Sequence, residues 1–132
     1  MSRTVGKKGV ADLLASYSPD VRKLVLATRA FVLEVIPGAL ELVDAKSKVV
    51  GYGFGTGYKD MVCSIMPNQK GVTLGIGWGT ELPDPQKLLE GAGKVHRHVK
   101  VKSESDLEVP ALKALLVAAL ARREKMAAKA KT

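Results

Sequence analysis

At 132 residues, 46% of them hydrophobic and 26% charged, the chain has the length and apolar content of one domain with its own core. No apolar run approaches the roughly 18–20 residues of a membrane span, and Arg3, Lys7 and Lys8 precede no apolar stretch of the secretory kind, so the reading is a cytoplasmic chain with no membrane partner. One cysteine, Cys63, excludes an internal disulfide, while 21 Lys and Arg against 13 Asp and Glu leave a net charge of +8 that favours an anionic partner.

Val10, Leu13, Leu14 and Tyr17 recur at helical spacing and predict a short first helix. Ser18 then offers an N-cap, Pro19 suits the first helical position, and Asp20 complements the positive end of the helix. Val21, Leu24, Val25, Phe31, Val32 and Val35 make one buried stripe, stopped by Pro37-Gly38. From Leu40 to Trp78 the period falls towards two. Leu40–Asp44, Lys48–Gly55, Asp60–Met66 and Val72–Trp78 read as strands, with a hairpin turn at Pro67–Gly71. Connections this short require antiparallel neighbours. A brief helix is expected over Gln86–Glu90, and a fifth strand over His96–Lys102. The last helix could open at the capping box Ser105…Glu108 or at Pro110; Pro110 is preferred, because the residue before a proline avoids helical angles. Its stripe is Leu112, Leu115, Leu116, Ala119 and Leu120 and ends beyond Arg123, and the tail Met126–Thr132 is expected to fray or extend into solvent. The predicted fold is therefore α+β: an antiparallel five-stranded sheet packed by N-terminal and C-terminal helices, one domain over residues 1–132 with a core of about 10–123 and a basic tail at 124–132.

The glycines carry the most information. In the second strand Gly51, Gly53, Gly55 and Gly57 alternate with Val50, Tyr52, Phe54, Thr56 and Tyr58; in the fourth, Gly75, Gly77 and Gly79 alternate with Leu74, Ile76 and Trp78. Extended strands would then share a face with almost no side chains. Glycine weakens a strand, so a bare face needs a reason: either close packing by another element, or a shallow groove in which a flat ligand or anion meets backbone N–H groups. The spacing fits neither the dinucleotide fingerprint nor the P-loop.

A second candidate lies after Pro85. Gly91 and Gly93 free the backbone to turn, and Lys94 and Arg97 supply positive charge for an anion. On a strand, His96, His98 and Lys100 share one face while Arg97 points inward with Val99 and Val101, where Asp60, Glu41 or Asp44 could pair with it. The ligand-binding candidates are thus Gly53, Gly55, Gly75, Gly77, Gly91, Gly93, Lys94, Arg97 and His98. His96 and His98 are weak metal candidates, since a site needs further ligands.

The run Leu88-Leu89-Glu90-Gly91-Ala92-Gly93-Lys94-Val95-His96-Arg97-His98-Val99-Lys100-Val101, with Leu82-Pro83-Asp84-Pro85 before it and Asp106-Leu107…Pro110-Ala111-Leu112 after it, resembles the YdhG-like domain-of-unknown-function family. Pro37 and Glu41 fit the resemblance, which covers about residues 18–121; the Gly-Lys-x-x-Arg-His stretch is its specific part, and Val43–Gly51 departs from the commoner family form. The resemblance implies helices around an antiparallel sheet and, for a few members, a frataxin-like iron-chaperone role. That role uses an acidic surface, whereas this chain is basic.

Catalytic signals are absent from the motifs: no nucleophile elbow, carboxylate pair or Ser-His constellation is visible, and Cys63 sits mid-strand as packing residues do. No cofactor is expected. The leading expectation is non-enzymatic binding of a small anionic ligand or acidic partner. The alternatives are an interaction protein with weak nucleic-acid binding through the basic C-terminal tail, and an iron or metal carrier by family analogy. Aromatics at 5% disfavour nucleic acid, and a free strand edge would allow an oligomer.

Overall fold

The computed structural model describes residues 3–5, 9–44, 46–55, 60–84, 87–91 and 96–130, the side chains of 3–5 and 127–130 excepted. Helix α1 (Gly9–Leu14) buries Leu13 and Leu14. Helix α2 (Pro19–Val35) starts where its cap dictates: the Ser18 hydroxyl accepts the Val21 N–H at 3.3 Å, and proline occupies the first turn. Val21, Leu24, Val25, Thr28 and Val32 form its buried face. The Thr28 hydroxyl is buried without penalty because it donates to the Leu24 carbonyl at 2.8 Å.

Strands β2 (Leu40–Asp44), β3 (Val49–Gly53), β4 (Met61–Asn68), β5 (Gly71–Ile76) and β6 (Arg97–Val101) form an antiparallel sheet in which each strand pairs with the next. The five expected strands are all present. A sixth, β1 (Arg3–Val5), pairs in parallel with the outer edge of β2 and sets Arg3 opposite Leu40. Three residues are too few to show a period, so the sequence gives no sign of it.

Two strands end earlier than their glycine alternation suggests. The register of β3 on β4 shifts between Tyr52 and Gly53, and Phe54 and Gly55 leave the sheet. Strand β5 stops at Ile76; Trp78 turns into the left-handed region at φ 58°, and Gly79–Glu81 forms a 3-10 turn. The helix expected over Gln86–Glu90 is not there: Gln86 lies outside the described residues, and Lys87–Glu90 is irregular. The Asp84 carboxylate accepts the Leu88 and Leu89 N–H groups, each at 2.9 Å, which competes with helical pairing. Glu90 instead bridges to His98 through two backbone hydrogen bonds of 2.7 and 3.0 Å and extends the sheet locally beyond β6.

Helix α3 (Pro110–Ala130) begins at the proline and buries Leu112, Leu115, Leu116 and Ala119. The capping box is formed by Ser103 and Asp106, not by Ser105 and Glu108, and opens a 3-10 turn over Glu104–Glu108. Fraying, one of the two outcomes expected for Met126–Thr132, is corrected for Met126–Ala130. The backbone stays helical to Ala130, in keeping with a segment of alanine, lysine and methionine, all good helix formers.

Two ladder rows divide the sheet. Glu41, Tyr52, Cys63, Ile76 and Arg97 stand side by side across β2–β6 on the side that α2 and α3 cover; Leu42, Gly51, Ser64, Gly75 and His98 form the next row, on the opposite side. The core lies between the first side and the helices, with Tyr52, Ile65, Leu74, Ile76, Val25, Val32, Leu112 and Leu116 almost wholly out of solvent. No helix among the described residues is long and apolar enough to cross a membrane.

Candidate functional site

On the side that carries no helix among the described residues, called the helix-free side below, β4, β5 and the start of β6 enclose a groove of about 370 Å³ lined by Met61, Ser64, Met66, Gly75, Gly77, His96, Arg97 and His98, with Cys63 and Ile76 in its wall. Gly75 forms part of its floor because neighbouring side chains lean across it. A Cβ there would approach Ser64 Oγ to 2.6 Å and the Met66 methyl to 3.2 Å. At Gly77 the obstacles are the Met61 and Val62 carbonyls, each 3.0 Å from a Cβ. The bare row is therefore partly roofed by methionine and serine and not by a helix. What remains is mostly apolar, with hydroxyl and imidazole groups at its rim.

The glycine candidates separate into two groups. Gly75 and Gly77 line the groove. Gly53 and Gly55 do not: the Asp60 carbonyl lies against the first and the Asp60 carboxylate against the second, so both are packing positions. Gly91, at φ 115°, lies beside the groove, where a Cβ would meet the His98 ring at 3.2 Å. Gly93 and Lys94 lie outside the described residues. Backbone amides are not the anion donors of the β5 floor, because β5 pairs with β4 on one side and β6 on the other, and the Gly77 N–H donates to the Val62 carbonyl at 2.9 Å.

His96 and His98 both reach the groove. The Trp78 N–H donates to His96 Nδ1 at 3.0 Å, so the neutral ring carries its proton on Nε2. Trp78 also meets that ring edge-on, with centroids 5.6 Å apart. These contacts tie the only tryptophan of the chain to the groove wall.

Arg97 belongs by register to the helix-side row, beside Ile76, as its inward direction on the strand requires. Its Nη1 is buried and has no hydrogen-bond partner among the described residues. None of the three expected carboxylates serves it. Asp60 pairs with Arg123 at 3.2 Å, and Asp44 accepts the Ser47 N–H at 3.1 Å, which holds its carboxyl below the usual range. Glu41, four strand spacings or about 19 Å away, accepts Arg29 Nε at 2.6 Å and the Tyr52 hydroxyl at 2.7 Å.

Cys63 is fully buried, and burial pushes its thiol well above the ordinary range, so it supplies no thiolate near neutral pH. Among the described residues no group of three or more His, Cys, Asp and Glu is placed to hold a metal. The basic end of α3 is partly committed within the fold. Arg122 stacks 4.2 Å over Trp78 and meets Glu81 at 3.0 Å, and Arg123 lies 5.1 Å over Phe54.

Met61, Ser64 and Met66 are groove residues that sequence reasoning overlooked. Their signal was the alternation of β4, but an isolated methionine in a strand reads as core. Comparison with protein-family models, with curated proteins and with solved structures found no match.

Proposed function

We propose that the chain is a non-enzymatic binding domain that takes a small ligand with an apolar body and an acidic group in the groove on the helix-free side. The observation that supports it is the composition of the groove: methionine walls and a glycine floor for the body, with Ser64, His96 and His98 as hydrogen-bonding groups for the acid. Arg97 in the same wall, with its net positive charge, biases the ligand towards an anion. Catalysis is not part of this reading, because the groove offers no activated nucleophile: its one thiol is buried and protonated.

Kinship with the YdhG-like family belongs to the proposal on the strength of Gly93-Lys94-Val95-His96-Arg97-His98 alone. Nucleic-acid binding through the end of α3 is weaker support for a function, since Arg122 and Arg123 already serve Trp78, Glu81, Phe54 and Asp60.

Trp78 supplies the test. Titration with decanoate is expected to change its fluorescence saturably, and the methyl ester of the same acid is expected to bind at least about tenfold more weakly, the worth of one charge-assisted hydrogen bond. No saturable response to either compound rejects the groove as a ligand site; equal responses reject the acidic group.

A further inference from the structure

The helix-free side holds a second hollow, of about 340 Å³, at the other end of β5 and β6. Asn68, Lys70, Thr73, Lys100 and Lys102 line it. Three lysines, an amide and a hydroxyl therefore border one hollow where the β4–β5 hairpin meets the end of β6. The Asn68 amide donates to Thr73 Oγ1 over a long 3.4 Å, and the Lys70 N–H to Asn68 Oδ1 at 2.8 Å, so the hairpin holds these two polar side chains in place.

The positive charge there is poorly compensated. Lys100 meets Glu90 at 3.8 Å with both side chains at least half exposed, a pair of little strength. Neither Lys70 nor Lys102 makes an ion pair among the described residues, and the nearby Asp106 carboxylate is engaged by the Lys102 and Ser103 N–H groups as a helix cap. A phosphate monoester carries a charge of roughly −1.5 to −2 and three acceptor oxygens at neutral pH. Lysines act on it as point charges, and amide and hydroxyl donors complete its hydrogen bonding.

We infer that this hollow is a phosphate site, with a lining of its own beside the groove, that takes the phosphate group of a monoester. Thr73 in the hollow pairs across the strands with Met66 in the groove and lies two residues from Gly75, so the two sites adjoin but share no lining residue. The different chemistry of the two linings, methionine and imidazole against lysine, lets their ligands be told apart.

The experiment is a titration of the whole chain with phenyl phosphate and inorganic phosphate, followed by calorimetry or phosphorus NMR, beside the decanoate titration. Replacing Lys70, Lys100 and Lys102 together by glutamine is expected to weaken phenyl phosphate binding at least about tenfold, while decanoate binding weakens by much less and the melting temperature stays as it was. Binding is expected to weaken as salt rises, because the lysines are exposed. Failure of decanoate with retained, lysine-dependent phosphate binding removes the groove proposal and leaves this one standing. Phosphate binding that is undetectable, or that survives loss of the three lysines, overturns the site. So does lysine-dependent binding of a short single-stranded oligonucleotide without binding of phenyl phosphate, which would assign the surface to a polymer.

Discussion

Glu41 and Arg97 stand at opposite ends of one ladder row, and the protein treats them differently. At the β2 end, Glu41 is 1% exposed and fully engaged: Arg29 Nε and Nη2 reach its two oxygens at 2.6 and 3.2 Å, and Tyr52 adds a third hydrogen bond at 2.7 Å. The hydrogen bond to Glu41 raises the Arg29 pKa, and burial together with Glu41 pushes the Tyr52 hydroxyl above the ordinary phenol range, so both groups stay donors across ordinary pH. At the β6 end, Arg97 keeps a buried Nη1 with no partner among the described residues. A fold that satisfies one buried charge threefold leaves Arg97 Nη1, like Arg122 Nε, without a partner among the described residues. The first arrangement stabilises the fold; the second costs stability.

This contrast is open to being broken. The largest effect is expected at Glu41. Glu41→Ala leaves Arg29 and the buried Tyr52 hydroxyl without their acceptor, and should destabilise the protein by about 3 kcal/mol, the lower part of the range for such losses because Arg29 is 36% exposed and keeps some water. Urea unfolding measures it; a loss below about 1 kcal/mol would mean that the cluster is ordinary surface pairing. A much smaller effect, of opposite sign, is expected at Arg97. Arg97→Met removes the unpaired donor while keeping an unbranched apolar stem, so the ligand-free protein should be unchanged or more stable by up to about 1 kcal/mol. A loss comparable to that of Glu41→Ala would show that Arg97 is a structural partner and would end the contrast.

Most of the fold could be read from the residues, and for identifiable reasons. Helix α2 carries its own cap, its first-turn proline and a stop, and β2 matches its predicted bounds because Leu40–Asp44 is isolated between Pro37-Gly38 and the turn before Val49. Errors cluster where local pattern competes with something non-local. The glycine alternation ran on past Gly53 and Ile76, but a register shift ended one strand and the left-handed Trp78 the other. The Lys87–Glu90 segment looked helical until Asp84 captured two of its amides and Glu90 joined the sheet edge.

The site was only partly legible. Gly75, Gly77, Arg97 and His98 do line one groove, but Gly53 and Gly55 serve packing against Asp60, and Arg97 lacks the carboxylate that sequence reasoning sought for it. Strand order explains that last miss: Glu41 and Arg97 are both inward-facing, yet alternation alone gives no distance between β2 and β6. The methionine walls were invisible because their role depends on which side of the sheet the helices cover.

The central claim is that the helix-free side of the sheet, and not the helical layer, receives a ligand. Methionine methyl NMR reads this most directly, because Met61 and Met66 line the groove while Met126 sits exposed on α3. Saturating decanoate is predicted to shift the Met61 and Met66 methyl signals together, with one shared affinity, and to leave Met126 in place. A shift confined to Met126, or uniform across all four methionines, would contradict it.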